Sequence, residues 1–140
     1  MNYQNIAVFD NDFKKLSKRF KTLDDDFSTL KKYHIEVFHA NRLKTDDPVE
    51  ISGACGKTYK SYKVRKFACK SLMGKGRQSG LRVIYVYRPL IETITFVEIY
   101  FKGDKENEDR QRLKGFVCEI DAEGDVRKAT NFSGSPLTSA

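Results

Sequence analysis

The stretch Gly80–Pro89, GLRVIYVYRP, sets Arg82 at the head of a run of Val, Ile and Tyr. β-Branched and aromatic residues suit a half-buried strand, whereas a guanidinium is costly to bury without a partner. Its charge must face water, an acid elsewhere in the chain, or a polyanion from outside. The surroundings are equally basic. Between Glu50 and Glu92 lie ten of the chain's 26 lysines and arginines and none of its 19 acids. They are Lys57, Lys60, Lys63, Arg65, Lys66, Lys70, Lys75, Arg77, Arg82 and Arg88, interleaved with Tyr59, Tyr62, Tyr85 and Tyr87. Cations gathered on two neighbouring strands and their joining loop repel one another unless something neutralises them. Tyrosines beside them suit stacking on unpaired bases, so a single-stranded nucleic acid is the favoured partner. The plainer alternative is a solvated basic face balanced by Asp24–Asp26 or by the acidic stretch after Asp104.

The formal net charge of +7 and a pI near 9.3 favour an anionic partner without choosing among nucleic acid, membrane and acidic protein. No amphipathic basic helix accompanies the charge block, which argues against a membrane surface. No apolar run approaches the roughly 20 residues that span a bilayer. The start, MNYQNIAVFDNDFKK, lacks the basic-then-apolar order of a signal peptide, and the cytoplasm is the expected compartment. Cys55, Cys69 and Cys118 are odd in number and widely spaced, so neither a disulfide framework nor a metal site is read from them. With only His34 and His39 available, no metal and no small-molecule cofactor is expected. Both histidines fall near the end of a helix, where a solvated or capping role is expected. Two glycine motifs fail. GACGKT (Gly53–Thr58) has Ile51 where a phosphate loop needs its first Gly, and GKGRQSG (Gly74–Gly80) precedes a strand instead of opening a helix.

The elements that must position these residues are read from periodicity. At 140 residues and 39% hydrophobic composition, the chain suits one globular domain with a modest core. Ile6–Phe9 reads as a short strand. Phe9, Phe13, Leu16, Phe20, Leu23, Phe27 and Leu30 recur every three or four residues, a helical core stripe. Thr22 as N-cap before Asp24–Asp26 divides it into helices over 11–20 and 23–38. Residues 41–57 read as a loop, followed by strands over 59–70, 80–88 and 92–102. In the last, alternation puts Thr95, Val97, Ile99 and Phe101 on one face and Phe96, Glu98, Tyr100 and Lys102 on the other. A final helix is expected from an Asp104 N-cap to a Gly115 stop, with Glu106–Arg110 and Glu108–Arg112 as i,i+4 pairs. The ending TNFSGSPLTSA reads as a mobile tail.

In this order, YKVRKFACKSLMGKGRQSGLRVIYVY and ITFVEIYFKGDKENEDRQRL resemble the RelE/ParE toxin superfamily over residues 3–116. The shared features are a basic second strand, a G-x-R-[VL]-[IV]-Y third strand and a fourth strand ending in a basic residue. The resemblance implies an α+β fold: a two-helix N-terminal hairpin packed on a small, mostly antiparallel four-stranded sheet, with a short C-terminal helix. It implies a toxin domain over 1–118 and a flexible extension over 119–140. RelE-like members cleave messenger RNA on the ribosome without a metal, by attack of the 2′-hydroxyl on the adjacent phosphate, and are held inactive by a cognate antitoxin. The reaction needs a base, cations for the phosphorane and a proton for the leaving oxygen.

By position the resemblance makes Arg82 the transition-state arginine, with Arg65 and Lys63 on the basic second strand and Lys102 as the late basic residue. Tyr85 is a further catalytic candidate. Glu98 either joins the site or pairs with Arg82. Lys57, Lys60, Lys66, Lys70, Lys75, Arg77 and Arg88 are then RNA-binding candidates. RelE-like enzymes commonly carry Tyr or His-Tyr at or beyond the last helix, and residues 101–140 contain neither. ParE-like relatives share the fold and act on DNA gyrase without catalysis. The alternatives are therefore a gyrase inhibitor or an RNA-binding relative without catalysis.

Overall fold

The computed structural model describes residues 1–41, 47–54, 56–72 and 79–132. It divides into two compact units, Met1–Glu108 and Asp109–Ala140. The first is α+β. Its sheet has five strands, in the order β1-β5-β4-β3-β2. These are β1 (Asn2–Asn5), β2 (Val49–Glu50), β3 (Lys60–Val64), β4 (Leu81–Arg88) and β5 (Thr93–Phe101). β1 runs parallel to β5 and all other pairs are antiparallel, so the expected sheet gains one strand at the edge.

The first strand is Asn2–Asn5, not Ile6–Phe9. Ile6 is instead the N-cap of α1 (Ala7–Arg19), which begins four residues before the expected start at 11. Asn-Tyr-Gln-Asn carries no apolar run, and only Tyr3 turns to the core, stacking on Phe96 at 5.9 Å. α2 (Leu23–Leu30) follows from Thr22, but the Thr22 hydroxyl does not cap it. It donates to Asp26 Oδ2 at 2.7 Å and accepts from the Ser71 amide at 2.9 Å, fastening the chain after β3 to this helix.

Beyond Leu30 the helix opens into a π-helical turn, Lys31–Ile35, before α3 (Glu36–Asn41). The core spacing explains the turn. Leu23, Phe27 and Leu30 are buried at α-helical intervals, and the next buried position is Ile35, five residues on. A π-turn matches that interval and leaves His34, which an α-helix would have placed inward, free to turn elsewhere.

The helices cover one face of the sheet. Phe9, Phe27 and Phe96 meet with ring centroids 4.8–5.7 Å apart, flanked by Val64, Val83, Tyr85 and Ile99. The strict alternation expected of β5 fails at one place. Tyr85 pairs with Phe96 while Ile84 pairs with Glu98, so Val97 is an extra residue. This bulge puts Ile94, Phe96, Ile99 and Phe101 on the helix face and Thr95, Glu98 and Tyr100 on the other.

β3 ends at Val64, well before the expected residue 70. The second unit is, in its described part, α4 (Arg110–Phe132). It is long, begins six residues after Asp104, runs through Gly115 and crosses the expected boundary at 118/119. Residues 133–140, within the expected extension, lie outside the described residues.

Candidate nucleic-acid interface

The sheet face away from α1 and α2 carries rows of residues set by strand register. One row runs Val49–Lys63–Ile84–Glu98 and the next sets Arg82 opposite Tyr100, beside position 65 where β3 has just ended. Arg82, Arg65 and Lys63 are therefore neighbours at one end of the sheet. Lys102 is adjacent, because its amide donates to the Gly80 carbonyl at 2.8 Å. Gly80 has φ +90, and a Cβ there would stand 3.2 Å from the Phe101 ring, so a side chain would be strained by the backbone and crowded by the ring.

The half-buried Arg82 guanidinium donates through Nη1 to the Arg65 carbonyl at 3.0 Å and to the Leu81 carbonyl at 3.3 Å. It meets no carboxylate among the described residues. Glu98, expected as its partner, is bound by Lys105. The other cations differ. Lys63 Nζ is 2.9 Å from Glu108 Oε1, with the Glu108 side chain only 4% exposed. Lys60 pairs with Glu50 at 3.3 Å, on the helix side of the sheet and at its other end. Arg88 shares the face of Arg82 but stands six residues along β4, about 20 Å away, donating to Gln4 and Thr95. The charge block is thus divided between faces and partly neutralised. Lys57 and Lys70 are exposed, and Lys75 and Arg77 lie outside the described residues.

Tyr85 is not with the others. It is fully buried on the helix face, its hydroxyl 2.8 Å from His39 Nε2 and its ring stacked on Tyr62. Burial, reinforced by Tyr62 and Asp47, pushes its hydroxyl well above the usual tyrosine range, as a core residue requires. Tyr100, opposite Arg82, was not singled out by the sequence. Burial raises its hydroxyl; the Lys63 ammonium opposes that rise, and Glu108 and Glu98 add to it. The Tyr100 oxygen makes no hydrogen bond of good geometry among the described residues, so Lys63 acts on it as a nearby charge.

The histidines are also placed differently from expectation. His39 packs among Phe38, Tyr62, Tyr85 and Tyr87, and burial lowers its pKa to about 4. His34 Nε2 sits 2.7 Å from Asp47 Oδ2. Asp47 is 1% exposed and also accepts the Arg65 amide at 2.7 Å and the Lys66 amide at 3.2 Å. A single carboxylate therefore holds the exit of β3 and orients an imidazole on the π-turn. The two were not readable as a pair, because they stand 13 positions apart in sequence with α3 beginning between them. Among the described residues no group of three or more His, Cys, Asp or Glu is placed to hold a metal ion. No described helix is long and apolar enough to cross a membrane.

No protein-family model matches the chain, and no curated protein matches it. Among solved structures, the chain is similar to the archaeal RelE–RelB complex from Pyrococcus horikoshii OT3. The identity is 14% over 73% of this chain and 94% of that one, with a TM-score of 0.45.

Proposed function

We propose that this protein is a RelE-like toxin that binds messenger RNA and cleaves it on the ribosome, with a cognate antitoxin covering the same face. The observation that carries the reading is Arg82. It is a strand-borne guanidinium, fixed by two backbone carbonyls and facing no carboxylate among the described residues. Those carbonyls orient the planar fork without neutralising it, which leaves charge for a phosphate. In the proposed reaction a 2′-hydroxyl loses its proton to water and attacks the neighbouring phosphorus, the P–O5′ bond breaks as the leaving oxygen takes a proton from water, and Arg82 stabilises the dianionic phosphorane that leads to the cyclic phosphate. Arg65 and Lys102 flank it as further cations; Lys102 is exposed and has no carboxylate partner among the described residues.

A second reading, RNA binding without cleavage, is favoured by the groups that would move protons. Lys63 is committed to Glu108, Tyr85 lies in the core, and Tyr100 is nearly buried.

Expression in growing bacteria, with mapping of transcript ends, separates the readings. The toxin reading expects growth arrest with cuts inside translated codons, and Arg82→Ala abolishing both while the protein stays folded. Arrest with intact messages and accumulating DNA breaks would replace it with gyrase inhibition. RNA binding with neither arrest nor cuts would leave the second reading.

A further inference from the structure

α1 carries a second group of cations, outside the basic stretch around Arg82. Its inward stripe is Phe9 and Leu16, continued by Phe20, with Phe13 half-buried against them. At about 100° per residue, Lys14, Lys15 and Lys18 fall within an arc of about 100° on the side opposite that stripe. All three are exposed, and among the described residues their ammonium groups make no hydrogen bond and no ion pair. We propose that this outer face of α1 is a docking surface for the phosphate backbone of base-paired RNA, separate from the single strand assigned to Arg82. The inference goes beyond the nuclease reading and does not depend on cleavage.

The plain alternative is a solvated helix face, and two observations tell against it. The helix dipole favours cations in the last turn, which accounts for Lys18 and Arg19 but not for Lys14 and Lys15. The face also sets like charges one turn apart, Lys14 beside Lys18 and Lys15 beside Arg19, an arrangement that destabilises a helix. Asp104 answers Arg19, and Asp10 accepts from Asn5. The three lysines are left for a partner from outside the chain.

Chemistry then chooses among polyanions. A helix that binds a membrane inserts its apolar face, and that of α1 is packed into the core. A protein interface is centred on aromatic or aliphatic anchors. Of the exposed large apolar residues described, Val8 alone belongs to α1, at the end away from the lysines. Single-stranded RNA is held by stacking, and Phe9 and Phe13, the aromatic rings of α1, both turn to the core. Point charges without a stacking plane suit a duplex, which hides its bases and presents its phosphates. α1 covers the sheet face opposite Arg82, with Phe9 on Phe96 at 5.5 Å, so a duplex here and a single strand there do not compete.

The test is fluorescence anisotropy of the full chain with a labelled RNA duplex of about 16 base pairs, and with one of its strands alone, over a range of salt. Lys14→Gln with Lys18→Gln should flatten the duplex slope of log affinity against log salt by about 1.8, at about 0.9 per phosphate contact. The single-strand slope should stay as it is, and the thermal midpoint should hold or rise because a like-charge pair is gone. Lys32→Gln with Lys114→Gln removes the same charge at other exposed positions and should leave the duplex slope unchanged. Four results would overturn the proposal: duplex binding by the α1 variant equal to wild type, an equal loss in the Lys32 and Lys114 control, an equal loss for the single strand, or displacement of the duplex by vesicles of anionic phospholipid. The outcome is separable from that of the function reading. Duplex binding without transcript cuts keeps the α1 surface and removes the nuclease; cuts without duplex binding do the reverse.

Discussion

His39 is held among rings: Tyr87 lies 4.1 Å away centroid to centroid, Tyr62 5.0 Å and Tyr85 5.7 Å, and its Nε2 bonds the Tyr85 hydroxyl. No carboxylate in that set offsets the charge of an imidazolium, and burial lowers the pKa to about 4, against 6.5 for a free side chain. The unfolded chain therefore binds the proton more readily than the folded one between those values. Stability from this group is complete above pH 6.5 and is lost as the pH falls towards 4. Urea midpoints measured across this range should fall on acidification. His39→Gln keeps a hydrogen-bonding group without the titration, and should flatten that part of the profile relative to the wild-type chain. A variant profile parallel to wild type would show that His39 does not carry the pH dependence. His34 contrasts with it, since the buried Asp47 carboxylate orients its ring. Two histidines five residues apart thus meet opposite environments, and sequence spacing alone assigned both to the same solvated helix end.

At the scale of elements, β5 shows what sequence could and could not supply. Its extent was legible because Thr, Ile, Phe and Val crowd 93–101, but its faces were not, because one bulge residue resets the period-two pattern. Deleting Val97 leaves an unbulged strand that keeps Ile94, Phe96, Ile99 and Phe101 on one face. That variant should fold cooperatively, losing about 2–3 kcal/mol for the missing buried side chain. Deleting Thr95 shifts Ile94 to the wrong face and should cost considerably more. Equal thermal stability for the two deletions would mean that the bulge does not set the register. β1 was missed for a related reason: an edge strand with a single core residue carries no apolar pattern. The start of α4 was misread because tertiary partners override local preference. Asp104 pairs with Arg19 and Glu108 with Lys63, so the acids taken for a helical first turn are spent on other elements. Gly115 lies inside the helix, where a Cβ would meet no atom within 4 Å, so no close packing required it. Of the site, Arg82 was legible from its sequence context. The Asp47 anchor was not, because its partners come from a helix and a strand that only the fold brings together.

Over the whole molecule, ten cations in one stretch of sequence do not make ten cations on one surface. Register sends Lys60 to the helix side, distance removes Arg88, and Glu108 answers Lys63. Beside Arg82, at one end of the sheet, stand Arg65 and Lys102; Lys57 and Lys70 are exposed elsewhere. For single-stranded RNA the logarithm of affinity should fall with the logarithm of salt by about 0.7 per phosphate neutralised. Three contacts, from Arg82, Arg65 and Lys102, give a slope of about −2. The Lys63–Glu108 pair supplies an internal control on that number. Glu108→Gln removes the carboxylate and returns an ammonium to the Arg82 face, so RNA should bind more tightly and the slope should steepen by about 0.7. Lys63→Gln in the same background should restore the original slope, which separates a gained contact from a general change in net charge. If the first variant leaves the slope unchanged while remaining folded, Lys63 does not face the nucleic acid. A flat response in every variant, wild type included, would mean that phosphate charge is not what this surface recognises.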